Sequence, residues 1–454
     1  MSHTFSARAG STQFGSFHYA LGLIEFTLSE PAQEFMQAII RRTEPPPAEG
    51  DPVQMAYEVT SLFHEMRHFF DTFGTMAGLS LFSGRLQRLK EFVSISEALR
   101  EAGSHWRLPL AEWAAEEDCP QMVRDFVRRA RGFHTGADLY IAPFTPLEID
   151  GHRDDLMIEL EYEQGGTADA FPLRVGRIGA DGKPRPRTVL FPLGLETLLE
   201  GNAHALSRTL VERYFPASVA EELQQRTATI AALDDQGKGE QRAAQTSAPY
   251  MVCDLLITRY MRLHGVETFP RNLVLAAIDK ALATSSIRSE EIAPGATALV
   301  ADRLGSRLVD VLEAEDPATL AVGAMSEDAR MTRIYQGLLA AFEAGGDWQS
   351  VKDDLSPASS IAIWEAYMAK TFIVPLLRKR LATGSRAFRT YSGFLELLQE
   401  VGLPPARVGN GALMLAIMPG RVQQAWWHQL MLGEIAWQLV RGGSSVFCPR
   451  AHAT

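Results

Sequence analysis

Residues 64–68 read His64-Glu65-Met66-Arg67-His68, the pattern HExxH. On a helix, side chains four apart lie one above the other on one face. His64 and His68 can then both offer a ring nitrogen to one metal ion, and zinc is the ion such a pair suits. Glu65 stands one position on, where it can hold a zinc-bound water and take its proton. That is the general-base role in metal-assisted hydrolysis. Zinc lowers the pKa of its water toward ~7, so a hydroxide nucleophile is at hand at neutral pH.

The surrounding residues predict the helix that this chemistry needs. A break at Glu44-Pro45-Pro46-Pro47-Ala48-Glu49-Gly50 is followed by Asp51 as N-cap, Pro52 in the first helical position and Gln54 in the third. Val59, Leu62, Phe63, Met66, Phe69, Phe70 and Phe73 form an apolar stripe at helical spacing over about 52–73, and the two histidines lie together beside it.

A catalytic zinc takes three protein ligands as a rule, so a third must come from elsewhere. In the stretch 194–206, Leu195, Leu198, Leu199, Ala203 and Leu206 mark one helix face, while Glu196, Glu200 and His204 recur every four residues on another. With HExxH, this stretch resembles the zincin metallopeptidases, in their gluzincin-like branch with a long spacer to the third ligand. The metzincin continuation is absent, because Asp71 and Gly74 stand where it needs glycine and histidine. The resemblance implies Glu200 as third metal ligand, in a setting where the small Ala203 lets two helices approach closely. Glu196 and Asp71 are alternative ligands, Asp71 serving equally to brace the site from behind. His204 stands where the family often carries an aspartate. It can hydrogen-bond from there, but it is no carboxylate brace. The family also stabilises an oxyanion with Tyr, His or Arg. Tyr214, Tyr250, Arg259, Tyr260, His264 and His204 are all available, and spacing selects none of them.

The expected fold is α+β but predominantly α-helical: a zincin-like unit with a small β-sheet, followed by an all-α C-terminal domain. Loose alternation before Pro31 predicts one or two strands. The catalytic unit is expected over 1–233, with a β-rich insertion at 138–193 and the Glu200 helix at 194–214. Residues 234–242, rich in Asp, Gly and charge, read as a linker, and 243–454 as an α-helical domain. The aromatic run from Gln423 to Met431 reads as core packing, and the basic cluster Arg378-Lys379-Arg380 as a solvated face or a partner for acidic residues of the same chain.

Composition sets the outer bounds. The chain has 454 residues, 46% hydrophobic and 22% charged, with a net charge of −11. This is ordinary globular composition, and the acidic balance argues against a nucleic-acid partner. Cys119, Cys253 and Cys448 are too few and too scattered for a disulfide framework or a CxxC zinc site. The first ten residues lack the apolar core of a signal peptide, and no stretch reaches the ~18–20 uninterrupted apolar residues of a membrane span. The expectation is a cytoplasmic zinc peptidase acting on a peptide or protein, without membrane or nucleic acid, its helical half recognising substrate or a protein partner. Two alternatives stand beside it. One is a non-hydrolytic enzyme that modifies peptides with Fe2+, since two histidines and a carboxylate also suit that ion. The other is a scaffold in which HExxH is vestigial.

Overall fold

The helix expected around HExxH forms and lies at the centre of the molecule. In the computed structural model, the residues described are 15–18, 22–26, 28–47, 50–107, 110–130, 161–162, 170–175, 187–192, 195–230, 329–352, 356–384, 386–408, 413–414 and 418–441, with Leu275, Ile278, Asp279, Leu282 and Ala283. Their helices are α1 (Glu30–Arg41), α2 (Pro52–Gly74), α3 (Met76–Glu101), α4 (Leu110–Trp113), α5 (Gln121–Ala130), α6 (Leu195–Tyr214), α7 (Ala217–Ile230), α8 (Ala329–Ala344), α9 (Pro357–Met368), α10 (Val374–Thr383), α11 (Arg386–Arg389), α12 (Tyr391–Glu400) and α13 (Gly420–Arg441). The predicted linker 234–242 lies outside the described residues.

The α+β expectation with a zincin-like small sheet is corrected: the fold is mainly helical. The physical reason lies in what fills the core. Strands are short, β1 (Gly15–His18), β2 (Leu23–Phe26), β3 (Glu161–Tyr162), β4 (Ala170–Val175), β5 (Arg187–Pro192), β6 (Ala406–Val408) and β7 (Leu413–Met414). Of their described side chains only Ile24, Phe26 and Ala406 enter the main hydrophobic cluster, and helices supply nearly all the rest. β2 pairs antiparallel with β1 and parallel with β6, so strands from the two halves of the chain meet there.

Asp51 caps α2 as expected, its carboxylate accepting from the Val53 N–H at 2.9 Å. Beyond that the helix is more deeply placed than one apolar stripe implies. Glu58, Thr60, Arg67, His68, Asp71 and Thr72 are buried alongside the apolar residues, so most of its circumference is covered. Its phenylalanines reach into helices from the far end of the chain. Phe69 meets Phe372 edge-on at 4.9 Å, and Phe63 and Phe70 lie 5.9 and 5.7 Å from Phe394 on α12. One core cluster therefore contains residues from both sides of the predicted linker.

Phe372 belongs to a π-helical segment, Ala369–Ile373, that joins α9 to α10. Pro375 is the second residue of α10; it has no N–H to donate and crowds the carbonyl four residues back, within the π segment, and a widened turn accommodates both. The run Pro357–Thr383 has the length and hydropathy of a membrane span, yet 72% of its most apolar window is buried inside the molecule, as in a core helix. The aromatic run on α13 divides: Trp426 is buried, whereas Trp427 is 41% exposed.

The end of α2 is held from a distance. A helix leaves its last carbonyls without intrahelical donors. Here the Arg380 Nε–H donates to the Gly74 carbonyl at 2.6 Å. The same guanidinium grips the Asp279 carboxylate with two bonds, 3.0 and 2.8 Å, and lies 3.9 Å over the Phe388 ring. Burial alone would lower the arginine's pKa, but Asp279 outweighs it and holds the group firmly charged. Next to it the Tyr335 hydroxyl accepts from the Met76 N–H that opens α3, at 3.1 Å, and donates to the Ala283 carbonyl at 3.0 Å. The turn between the helices is tight: a Cβ on Gly78 would run into the Thr72 carbonyl. The three residues of the basic cluster thus part company, Arg378 pairing with Glu343, Lys379 with Glu400 and Arg380 with Asp279.

Removing one partner of a buried pair strands the other charge. Arg380→Ala is expected to cost about 3–5 kcal/mol, read by chemical denaturation. Gly78→Ala is expected to cost about 1–3 kcal/mol in the same assay. Arg378→Ala, at an exposed pair, should stay within about 1 kcal/mol of the parent.

Candidate metal centre

The site forms where α6 crosses α2. Leu198, Leu199, Ala203, Leu206 and Leu210 are buried on α6, which leaves Glu200 free to leave the apolar face and reach across. The Ser207 hydroxyl spans the same interface to the Thr60 carbonyl at 3.3 Å. Glu200 Oε2 lies 2.8 Å from His64 Nε2 and 3.3 Å from His68 Nε2, and the two imidazole nitrogens are 3.0 Å apart. The rings stand nearly perpendicular, at 88°. Side-chain exposure is 12% for His64, 2% for His68 and 17% for Glu200, so the group is largely covered but open on one side.

Protons satisfy this triangle poorly. If both Nε2 atoms carry hydrogen and donate to the carboxylate, they face each other as two donors. If one gives up its hydrogen, it meets the carboxylate oxygen lone pair to lone pair. A cation between the three atoms satisfies them together. Three zinc ligands at about 2.0–2.1 Å in a tetrahedral array stand about 3.3 Å from one another, so the contacts fit after relaxing by a few tenths of an ångström. Burial pushes the Glu200 carboxyl up, but the charge and hydrogen bonds of His68 and His64 outweigh it and hold it well below the usual carboxylate range. The residue is therefore an anion at neutral pH, as a ligand has to be.

Among the described residues, His64, His68 and Glu200 are the three potential ligands whose atoms converge. Glu65 is half-buried on α2, next in sequence to His64. Asp71 is not brought into this group. Its carboxylate is fully buried and taken up by the Arg67 Nε–H at 2.9 Å and by the Asn202 amide at 2.7 Å. His204 is half-buried one turn beyond Glu200 and is not among the converging atoms. Glu196 is in the first turn of α6, and its side chain lies outside the described set. Tyr214 packs against Phe35 and Tyr391, with ring centroids 6.3 and 6.2 Å away. Tyr250, Arg259, Tyr260 and His264 lie outside the described residues.

Two residues at the site escaped the sequence reading. Arg67, inside HExxH, is 3% exposed and ion-paired to Asp71. Asn202 is 1% exposed. The signal for Asn202 was a polar residue between Gly201 and Ala203 on an amphipathic helix, and for Arg67 a charge within the aromatic run from Phe63 to Phe73, where a buried polar group needs a partner.

No protein family, curated protein or solved structure matches this chain.

The geometry predicts uptake of one divalent ion per chain. Zinc at a hundredfold excess over its Kd is expected to raise the unfolding free energy by about 2.7 kcal/mol. His64→Ala, His68→Ala and Glu200→Ala should each abolish that gain, while Glu196→Ala leaves it intact. Metal content after dialysis and thermal melts with and without zinc check both points.

Proposed function

We propose that the chain is a zinc-dependent metallohydrolase whose substrate is a peptide or protein. The observation that carries this reading is the convergence of His64 Nε2, His68 Nε2 and Glu200 Oε2 at one point, on a helix that also carries Glu65. The resemblance of the HExxH and Glu200 segments to gluzincin-like peptidases supports the choice of a peptide bond over other carbonyl substrates. His64, His68 and Glu200 would hold the ion. Zinc bound there supplies Lewis acidity, polarising a carbonyl and bringing the pKa of a water toward ~7.

The remaining work falls to the chain's own residues. The Glu65 carboxylate takes a proton from the attacking water, whose oxygen forms the new bond to the peptide carbon. Glu65 then returns that proton to the departing nitrogen as the C–N bond breaks. The free carboxylate is restored and one water is consumed. The cover over His68 and the apolar residues beneath it exclude bulk solvent from one side of the group, which strengthens every charge interaction within it.

A second reading rests on the donor set itself. Two histidines and one carboxylate also suit non-haem iron(II), which would make the chain an oxygen-dependent modifier of peptides and no hydrolase. Metal analysis separates the two: stoichiometric iron with oxygen uptake favours this reading, and zinc with oxygen-independent cleavage favours the first.

Glu65→Gln preserves size while removing the base. With zinc content unchanged, peptide cleavage is expected to fall by about 10²–10⁴-fold. Cleavage at the parental rate in a zinc-loaded Glu65→Gln protein would exclude Glu65 as the base.

A further inference from the structure

We propose that Asn202, acting through Asp71, is the positioning residue that holds Glu200 against the two histidines. This rests on the metal-site reading above and adds to it the device that sets the third ligand. Asn202 stands two residues after Glu200 on α6, and Asp71 three residues after His68 on α2. At about 100° per residue, Glu200 and Asn202 point about 160° apart around their helix. They therefore flank the contact with α2 from opposite sides. Glu200 reaches the imidazoles on one side, and the Asn202 amide donates to Asp71 Oδ2 at 2.7 Å on the other. A roll of α6 that drew Glu200 away from the histidines would have to break or strain the Asn202 bond.

The anchor for that bond is rigid. Asp71 is fully buried, and Arg67 on its own helix donates from Nε to Oδ2 at 2.9 Å while its terminal nitrogen stands 2.8 Å from Oδ1 as an ion pair. Arg67 cannot tie α2 to another element through Asp71, because it sits on α2 itself. Asn202 makes that connection. A buried amide that loses its partner pays the full desolvation cost, so the pairing is selective for one rotation of α6. Another polar bond across this interface, from the Ser207 hydroxyl to the Thr60 carbonyl, is longer at 3.3 Å and shares its donor with the Ala203 carbonyl. At seven residues from Glu200 it lies about 20° from it around the helix, on Glu200's own flank, so its loss leaves the Asn202–Asp71 bond on the opposite flank in place.

Cobalt(II) titration of metal-free, full-length protein tests the assignment, because the visible absorption of cobalt reports coordination number as well as affinity. The parent protein is expected to bind one cobalt with the intense bands of a four-coordinate site. Asn202→Ala is expected to weaken binding by about 10–100-fold and to dim or shift those bands. Ser207→Ala is expected to change the affinity by no more than about twofold, with an unaltered spectrum. Melting of the metal-free proteins serves as control for general loosening. Should Asn202→Ala not fold, Asn202→Ser, too short to span the gap to Asp71, is read in the same way. Parental affinity and spectrum in the Asn202 variant overturn the proposal, and so does an equal loss in Ser207→Ala. Failure of the parent protein to bind cobalt or zinc is a different result: it removes the metal site itself.

Discussion

A helix covered over most of its circumference has few directions left in which to show polar groups, and α2 is such a helix. Its phenylalanines are packed by residues from α3, α12 and the π segment before α10, leaving the side toward α6 for the histidines. Everything else about the site follows from that confinement. His64 and His68 are 12% and 2% exposed and sit on a core helix, so packing restricts their rotation and their Nε2 atoms stand 3.0 Å apart. Preorganisation of this kind lowers the cost of binding, since the ligands are already ordered.

Buried charge does the fine adjustment. Two groups of it grip α2, Arg67 with Asp71 and Asn202 near the site, and Arg380 with Asp279 at the C-terminal end. Ion pairs in an apolar interior add little net stability over apolar residues of the same shape, because desolvation consumes most of the Coulombic gain. Their effect is selective: a buried carboxylate with fixed partners tolerates one arrangement of its surroundings. In this fold that restricts where α2 ends and how α6 lies against it. Both the axial position and the rotation of the ligand-bearing turns are thereby limited.

Much of the site was legible in the sequence because its logic is local. His64 and His68 fall on one face by helix geometry alone, and Asp51-Pro52 marks the helix start without reference to anything distant. Glu200 was singled out by resemblance, as a carboxylate three residues before the small Ala203 on an amphipathic helix, and the fold brings it to the histidines. Asp71 illustrates where local reading fails. Spacing puts it one turn past His68, a fair position for a ligand, but Arg67 and Asn202 occupy its oxygens. The fold class failed for a related reason. Alternating residues signal strands, but they say nothing of how little core those strands will fill, and here helices fill nearly all of it.

By itself the sequence determined the side chains on offer: two imidazoles and a carboxylate on one helix, a second helix bearing acidic side chains, and an acidic chain with no disulfide framework. These depend on residue type and on spacings within one element, which backbone geometry makes predictable. Only the tertiary structure decided which carboxylate meets the histidines, that Asp71 faces Asn202, and that Arg380 closes the end of a helix some three hundred residues earlier in the chain. Such contacts depend on how one helix is rotated and shifted against another. That is settled by packing and by the pairing of buried charges over the whole core, and no local pattern carries it.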